Sequence, residues 1–171
     1  RVNIGGGYNG SNALAAIAVC RQLGVPIETI SEGLAHVKVA GRMETYTLDR
    51  NVDVIVDCAH NKMSYEALFD YVHHHYPQRK VGCVFGCVGG KAFNRRQEAG
   101  EIADANADFI IITERDPGKE SVQKICEEIL AHVAHKDKAQ IITDRDQAVR
   151  TALDKAEALG DCVLILAGCG S

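Results

Sequence analysis

Short apolar, β-branched runs alternate with segments of helical spacing through most of the chain, and this rhythm limits the fold more than any other feature. The runs are Val52–Asp57, Lys80–Gly86, Asp108–Thr113, Gln140–Thr143 and Cys162–Ala167. Between them, Ser64–His75 carries Leu68, Phe69, Tyr71 and Val72 at helical intervals, and Arg95–Ala107 and Asp146–Leu159 read as further helices. Val122, Ile125, Cys126, Ile129, Leu130 and Val133 make an i, i+3, i+4 stripe. Strands joined through helices imply βαβ crossovers and a sheet covered on both faces. The expectation is an α/β, Rossmann-like, mainly parallel sheet of about six strands with helices on both faces. It opens with a hairpin-like pair, Thr45–Leu48 and Val52–Asp57, around the turn Asp49-Arg50-Asn51.

Upstream the pattern is helical. Asn12–Gly24 is Ala- and Leu-rich and ends in glycine, the pattern of a helix with a C-cap, and Pro26 starts a second short helix. The passage Val39–Met43 is the expected domain boundary, so that 1–38 is the helical tail of a preceding domain and 39–171 the Rossmann-like domain. The opening RVNIGGGYNG reads as a continuation, and the chain is expected to be the C-terminal part of a longer protein.

Composition removes several classes of function. With 46% hydrophobic and 25% charged residues the chain has an ordinary globular balance. Its longest apolar run falls well short of the roughly 20 residues a bilayer span needs, and no secretory leader is recognisable. A net charge of −4 with interspersed signs argues against a nucleic-acid surface. Seven cysteines without a C-x-x-C pair are the usage of a reducing cytoplasm, with free thiols serving as small hydrophobes. A cytoplasmic monomer is expected.

Each run ends in polar residues or glycine: Asp57 to Asn61, Gly86 to Lys91, Thr113 to Pro117, Thr143 to Arg145, and Gly168 to Gly170. In open α/β sheets such loops gather at the carboxyl edge of the strands, where ligands bind. Asp57, His60 and Asn61 are therefore site candidates, the alternative being a turn-opening Asp57 and a helix-entry His60. Gly89 and Gly90, with Lys91, Arg95 and Arg96 beside a helix start, resemble a phosphate cradle. The alternative there is a solvated helix start. The loop is not a Walker A sequence, since Ala92 stands where its hydroxyl would be, and no G-x-G-x-x-G follows the first strand. His73, His74 and His75 are consecutive, so on a helix they diverge by about 100° and cannot share a metal. They read as a solvated helix end, and no metal site or nucleophilic constellation is expected.

Taken together, YNGSNALAA, GRMETY, VIVDCAHN, FGCVGGKAFNRR, the Thr113–Pro117 loop, DRDQA and LILAGCG resemble the C-terminal part of a Mur ligase, in order and over nearly the whole chain. The likeness is greatest to the branch that adds the third amino acid to UDP-N-acetylmuramoyl-L-alanyl-D-glutamate in peptidoglycan synthesis. The resemblance implies a UDP-sugar domain, a central ATPase domain with the P-loop and a carbamylated lysine, and the domain seen here. It also implies ATP and Mg²⁺, with most Mg²⁺ ligands in the central domain. A substrate carboxylate is activated as an acyl phosphate and attacked by the incoming amine. The partners implied are a UDP-linked muramoyl dipeptide and a free amino acid, with no nucleic acid and no membrane. A diaminopimelate-adding or folylpolyglutamate-type ligase, or a noncatalytic nucleotide- or amino-acid-binding module, is the alternative.

Carried onto this sequence, the resemblance implies that Asn9 and Asn12 lie near adenine, Arg42 reaches the ATP phosphates and Asp57 holds the ribose, with His60 and Asn61 supporting that loop. Asp57 and Arg42 stand outside the apolar pattern, so replacing either is expected to leave the fold intact. No catalytic residue is implied within this chain. The acceptor amino acid is expected at Lys91, Arg95, Arg115, Asp116, Gly118, Gly168 and Gly170. The diaminopimelate-type motif D-N-P-R is replaced by Arg115-Asp116-Pro117-Gly118, and the closing G-K-G by Gly168-Cys169-Gly170. With Gly118 where that motif has its carboxylate-binding arginine, L-lysine is the expected acceptor.

Overall fold

The computed structural model describes residues 7–168. Two helices, α1 (Gly7–Gln22) and α2 (Ile27–His36), precede a sheet built from β1 (Glu44–Leu48), β2 (Val52–Asp57), β3 (Lys80–Phe85), β4 (Phe109–Ile112), β5 (Ala139–Ile141) and β6 (Cys162–Ala167). Interleaved are α3 (Lys62–His75), α4 (Asn94–Asn106), α5 (Val122–Ala131) and α6 (Arg145–Leu159). The six strands run in the order β1-β2-β6-β3-β4-β5, with β1 antiparallel to β2 and every other pairing parallel. Fold class, strand number and opening hairpin are as the alternation implied.

Two apolar layers sandwich the sheet. On one face Ile55, Cys83, Phe85, Ile110 and Ile165 meet Leu68, Phe69 and Val72 of α3, Ala99 and Ala103 of α4, and Ile125 and Ile129 of α5. On the other, Val54, Val84, Ile111 and Leu164 meet Ala148, Ala152 and Ala156 of α6. Residues of the central strands β2, β3, β4 and β6 alternate between the two layers and are buried at nearly every position, which is why these runs are continuous rather than alternating. Three alanines at four-residue spacing let one helix lie close over the second face. The crossovers through α3, α4 and α5 step across one face to β5, and α6 returns over the other to insert β6 between β2 and β3.

Several boundaries differ from the sequence reading. α1 begins at Gly7 rather than Asn12. At its end, Gly24 has φ +79°, its N–H donates to the Arg21 carbonyl at 3.0 Å and the Val25 N–H to that of Cys20 at 3.0 Å. This is a Schellman closure, which needs a residue that tolerates positive φ. α5 stops at Ala131, where the His132 N–H turns back to the carbonyls of Ile129 and Leu130, so Val133 is buried beyond the helix. β5 ends at Ile141, two residues before the expected Thr143. The six cysteines among the described residues are free thiols, and burial raises Cys83 to about 12 and Cys87 and Cys126 to about 11, as expected of small core residues. No described helix is long and apolar enough to cross a membrane.

Candidate functional site

Parallel pairing places the strand ends level. Asp57 lies opposite Ala167, Val84 opposite Leu166 and Phe85 opposite Ile112. Along the carboxyl edge the loops therefore follow the sheet order: Asp57 after β2, Gly168 after β6, Lys91 after β3, Arg115 to Gly118 after β4. The five loops converge as expected, but the chain's last strand stands in the middle of the row.

At the β2 end, Asp57 is only 4% exposed. Its Oδ2 accepts the Met43 N–H at 3.0 Å and its Oδ1 the Ala59 N–H at 2.8 Å. The carboxylate thereby fastens the segment entering the sheet to the strand end, a structural tie that the expectation of a spared fold did not include. Asn61 is the N-cap of α3: its side chain accepts the Ser64 N–H at 3.0 Å, and the Ser64 hydroxyl accepts the Asn61 N–H at 3.1 Å. The His60 N–H donates to the same hydroxyl at 3.0 Å, and its Nδ1 lies 3.0 Å from the Cys58 carbonyl. This is a capping box with a histidine at the helix entry, so both residues shape the loop.

A cavity of about 230 Å³ lies between α1, α2 and the passage into the sheet, ending at Arg42, the residue before the Met43 that Asp57 holds. Asn9, Asn12 and Arg42 contribute its polar groups, and Ala13, Leu34 and Val37 are among its apolar walls. Asn12 Nδ2 donates to Asn9 Oδ1 at 3.3 Å, orienting the pair. Amide side chains over apolar walls suit a flat heteroaromatic base, and a half-buried guanidinium suits an anionic group. Asn9 and Asn12 of α1 thus share one cavity with Arg42, from a separate stretch of sequence.

The β3 loop is not a phosphate cradle. The Gly89 N–H donates to the Asp116 carbonyl at 3.1 Å and the Gly90 N–H to Glu120 Oε2 at 2.9 Å, so both amides are already used. A Cβ on Gly89 would lie 1.9 Å from the Pro117 carbonyl oxygen, which is why glycine is needed. Nor is Arg96 a phosphate ligand. It is 3% exposed, its Nη2 donates to Glu120 at 2.7 Å, and its Nη1 binds Glu128. Arg96 and the Gly90 N–H hold the Glu120 carboxyl down at about 2, against an ordinary value of 4.5. Lys91 is exposed and Arg95 half-buried, and neither makes an ion pair among the described residues.

At the β4 end, Arg115 Nε donates to the Gly168 carbonyl at 3.1 Å. Gly168 has φ +72°, which favours glycine, and a Cβ there would lie 2.7 Å from Arg115 Cδ and Nε and displace that side chain. Asp116 and Gly118 are exposed. Gly170 lies outside the described residues. Arg145, which no single motif flagged, spans the β3 end: Nη1 donates to the Glu114 carbonyl at 3.1 Å and Nη2 to that of Ala167 at 3.0 Å. Its signal was its place at the β5 strand end, in DRDQA. Among the described residues no three His, Cys, Asp or Glu side chains group as metal ligands, and His73, His74 and His75 are exposed on α3.

A doubly wound α/β sheet with arginines, glycines and a buried aspartate along its carboxyl edge, and an amide-lined cavity, has the architecture of the class of α/β domains in which ligands collect at strand ends. The chain belongs to the Mur ligase family, since residues 41–169 match the family model described as "Mur ligase, glutamate ligase domain". It is 36% identical over 97% of its length to the UDP-N-acetylmuramoyl-L-alanyl-D-glutamate--L-lysine ligase of Streptococcus thermophilus, of which it covers 34%. It is 38% identical over 97% of its length to the UDP-N-acetylmuramyl-tripeptide synthetase of Lactobacillus delbrueckii subsp. bulgaricus, covering 32% of that protein. The chain thus spans about a third of the length of these curated relatives. Among solved structures, Mycobacterium tuberculosis folylpolyglutamate synthase complexed with ADP and AMPPCP shares the fold, with a TM-score of 0.80 and 20% identity over 98% of this chain and 38% of that one.

Proposed function

We propose that this chain is the nucleotide- and amino-acid-binding C-terminal part of an ATP-dependent ligase that adds L-lysine to UDP-N-acetylmuramoyl-L-alanyl-D-glutamate. The observation that carries the reading is identity of 34% to 36% with two proteins named as L-lysine ligases, over 97% to 99% of this chain. Residues 1–38 are assigned to the preceding ATPase domain and 39–171 to the C-terminal domain. The exposed Leu14, Val19 and Leu23 of α1 and the loop after it support that division, as surface that a preceding domain would cover.

In this assignment the nucleotide takes the cavity lined by Asn9, Asn12 and Arg42, with Asp57, His60 and Asn61 shaping the neighbouring loop. The base rests on apolar wall under the two amides, and Arg42 answers phosphate charge through its fork. When bound, ATP supplies the phosphoryl group that activates the substrate carboxylate. Mg²⁺ is assigned to residues outside this chain. The incoming amino acid takes the edge formed by Lys91, Arg95, Arg115, Asp116, Gly118, Gly168 and Gly170, where arginine and lysine answer its carboxylate and Asp116 its side-chain ammonium. The peptide bond then forms in the preceding part of the protein, with no catalytic residue of this chain involved. The parent is assigned as a cytoplasmic monomer.

The test is ligation by the full-length protein with its UDP-linked dipeptide, comparing kcat/KM for L-lysine, L-ornithine and meso-diaminopimelate. Lysine is expected to lead. A preference for diaminopimelate overturns the acceptor assignment and turns attention to Arg115 or Lys91 as partner of the second carboxylate.

A further inference from the structure

We infer that Glu120 is a positioning residue that locks the loop carrying Lys91 to the loop carrying Arg115, Asp116 and Gly118, so that the two halves of the acceptor edge hold one fixed spacing. This rests on the acceptor assignment above. The loops leave different strands and share no covalent connection shorter than α4 and β4. Beside the backbone bond from Gly89 to the Asp116 carbonyl, one carboxylate couples them through its side chain: Glu120 Oε2 accepts from the Gly90 N–H at 2.9 Å and from Arg96 Nη2 at 2.7 Å, while Oε1 accepts from Arg96 Nη1 at 2.9 Å. Arg96 is itself fixed, being buried in α4, bonded to Glu128, and lying 4.8 Å under the Phe93 ring. Glu120 closes its own loop as well, since its N–H donates to the Pro117 carbonyl at 3.0 Å. With Gly89 bound to the Asp116 carbonyl, the Lys91 backbone is referred to the same anchor as Asp116 and Gly118.

The β4 loop is also held from its far side, where Arg115 donates to the Gly168 carbonyl and Arg145 to that of Glu114, but the tips that carry Lys91 and Gly118 are open. Lys91 and Gly118 are exposed, and no atom lies within 4 Å of a Cβ placed on Gly90 or Gly118. A charge-assisted bond to a backbone N–H is short and directional, so it fixes distance as well as contributing energy. A site that reads an amino acid by charges at its two ends depends on that spacing, and a misplacement of about 1 Å is costly.

Two measurements on the full-length protein test this, on Glu120→Ala, Glu120→Gln and Glu120→Asp. The first is amide hydrogen exchange. Glu120→Ala is expected to speed exchange at residues 89–91, 114–116 and 118 together while the sheet amides keep their protection, and Glu120→Gln to do so less, since one oxygen can still accept from Gly90. The second is kinetic: KM for the amino acid is expected to rise about tenfold or more, by the usual worth of a charge-assisted bond, with KM for ATP unchanged and partial recovery in Glu120→Asp. A merely structural role would lower the active fraction, hence kcat, and leave both KM values alone. Unchanged exchange in the two loops, or an unchanged amino-acid KM in a wild-type protein that ligates, overturns the inference. If the wild type ligates no amino acid, the functional reading fails instead, and the exchange data alone decide whether the loops are coupled.

Discussion

At Asp57 one buried carboxylate accepts backbone N–H groups from Met43 and Ala59. Truncation to alanine strands both donors at about 1–3 kcal/mol each, so Asp57→Ala is expected to lower the thermal stability of the full-length protein measurably and to reduce ligation. Asp57→Asn, which keeps one acceptor oxygen, should lie between. Arg42 differs. Its Nη1 makes one hydrogen bond, 3.2 Å to the neighbouring Gly41 carbonyl, and it stands at the cavity rather than in the core. Arg42→Ala is expected to leave the melting temperature within a degree or two while raising KM for ATP about ten- to a hundredfold, the loss of a charged hydrogen-bond partner. An unchanged KM for ATP would remove Arg42 from the nucleotide site. Sequence reading could mark both residues, since each breaks an apolar or glycine pattern. That one of them is also a structural fastener is a matter of burial, which their neighbours in sequence do not specify.

Among elements, the loops after β3 and β4 behave as one unit. Gly89→Ala would set a Cβ 1.9 Å from the Pro117 carbonyl oxygen. Neither backbone can yield without parting the loops, so a destabilisation of about 1–3 kcal/mol is expected, the cost of overpacking, readable as a lower denaturant midpoint at unchanged slope. The ion pair under these loops adds a pH dependence. Glu120 has its folded value depressed to about 2 from 4.5, chiefly by the Arg96 hydrogen bonds. Its contribution is therefore complete above about pH 4.5 and lost as pH falls toward about 2. Glu120→Gln should flatten the stability profile across that interval and leave its shape near neutrality unchanged. A wild-type and variant difference that stayed constant from pH 5 to pH 2 would contradict it, an interval spanning both values. The glycines of this loop suggest a phosphate cradle when read along the chain. The structure shows their amides engaged, because the partner loop lies some thirty residues away, as in the Gly90 to Glu120 bond.

For the whole molecule, the order β1-β2-β6-β3-β4-β5 sets the loops of the assigned nucleotide side and acceptor side on one edge with Gly168 between them. In the proposed assignment the edge works with a phosphoryl donor site beside it, and this chain contains no P-loop sequence. The purified chain alone is accordingly expected to release no phosphate from ATP and to form no peptide bond in a phosphate-release assay. Turnover above the buffer rate would place catalytic residues here and overturn the assignment.

Local pattern alone determined the elements, because burial of a strand on both faces demands a continuous apolar run and burial of one helix face demands a spaced one. It also marked the strand-end loops, since a polar residue or glycine at the close of an apolar run is visible without knowing what lies opposite. Only the tertiary structure decided which loops are neighbours, because inserting β6 between β2 and β3 is a long-range pairing that no local spacing encodes. The same holds for Arg96 and Arg145. In sequence each is one basic residue near a helix start. In the fold one is buried against Glu120 and Glu128, and the other bridges the carbonyls of Glu114 and Ala167, since a side chain's partners are set by where distant segments come to rest.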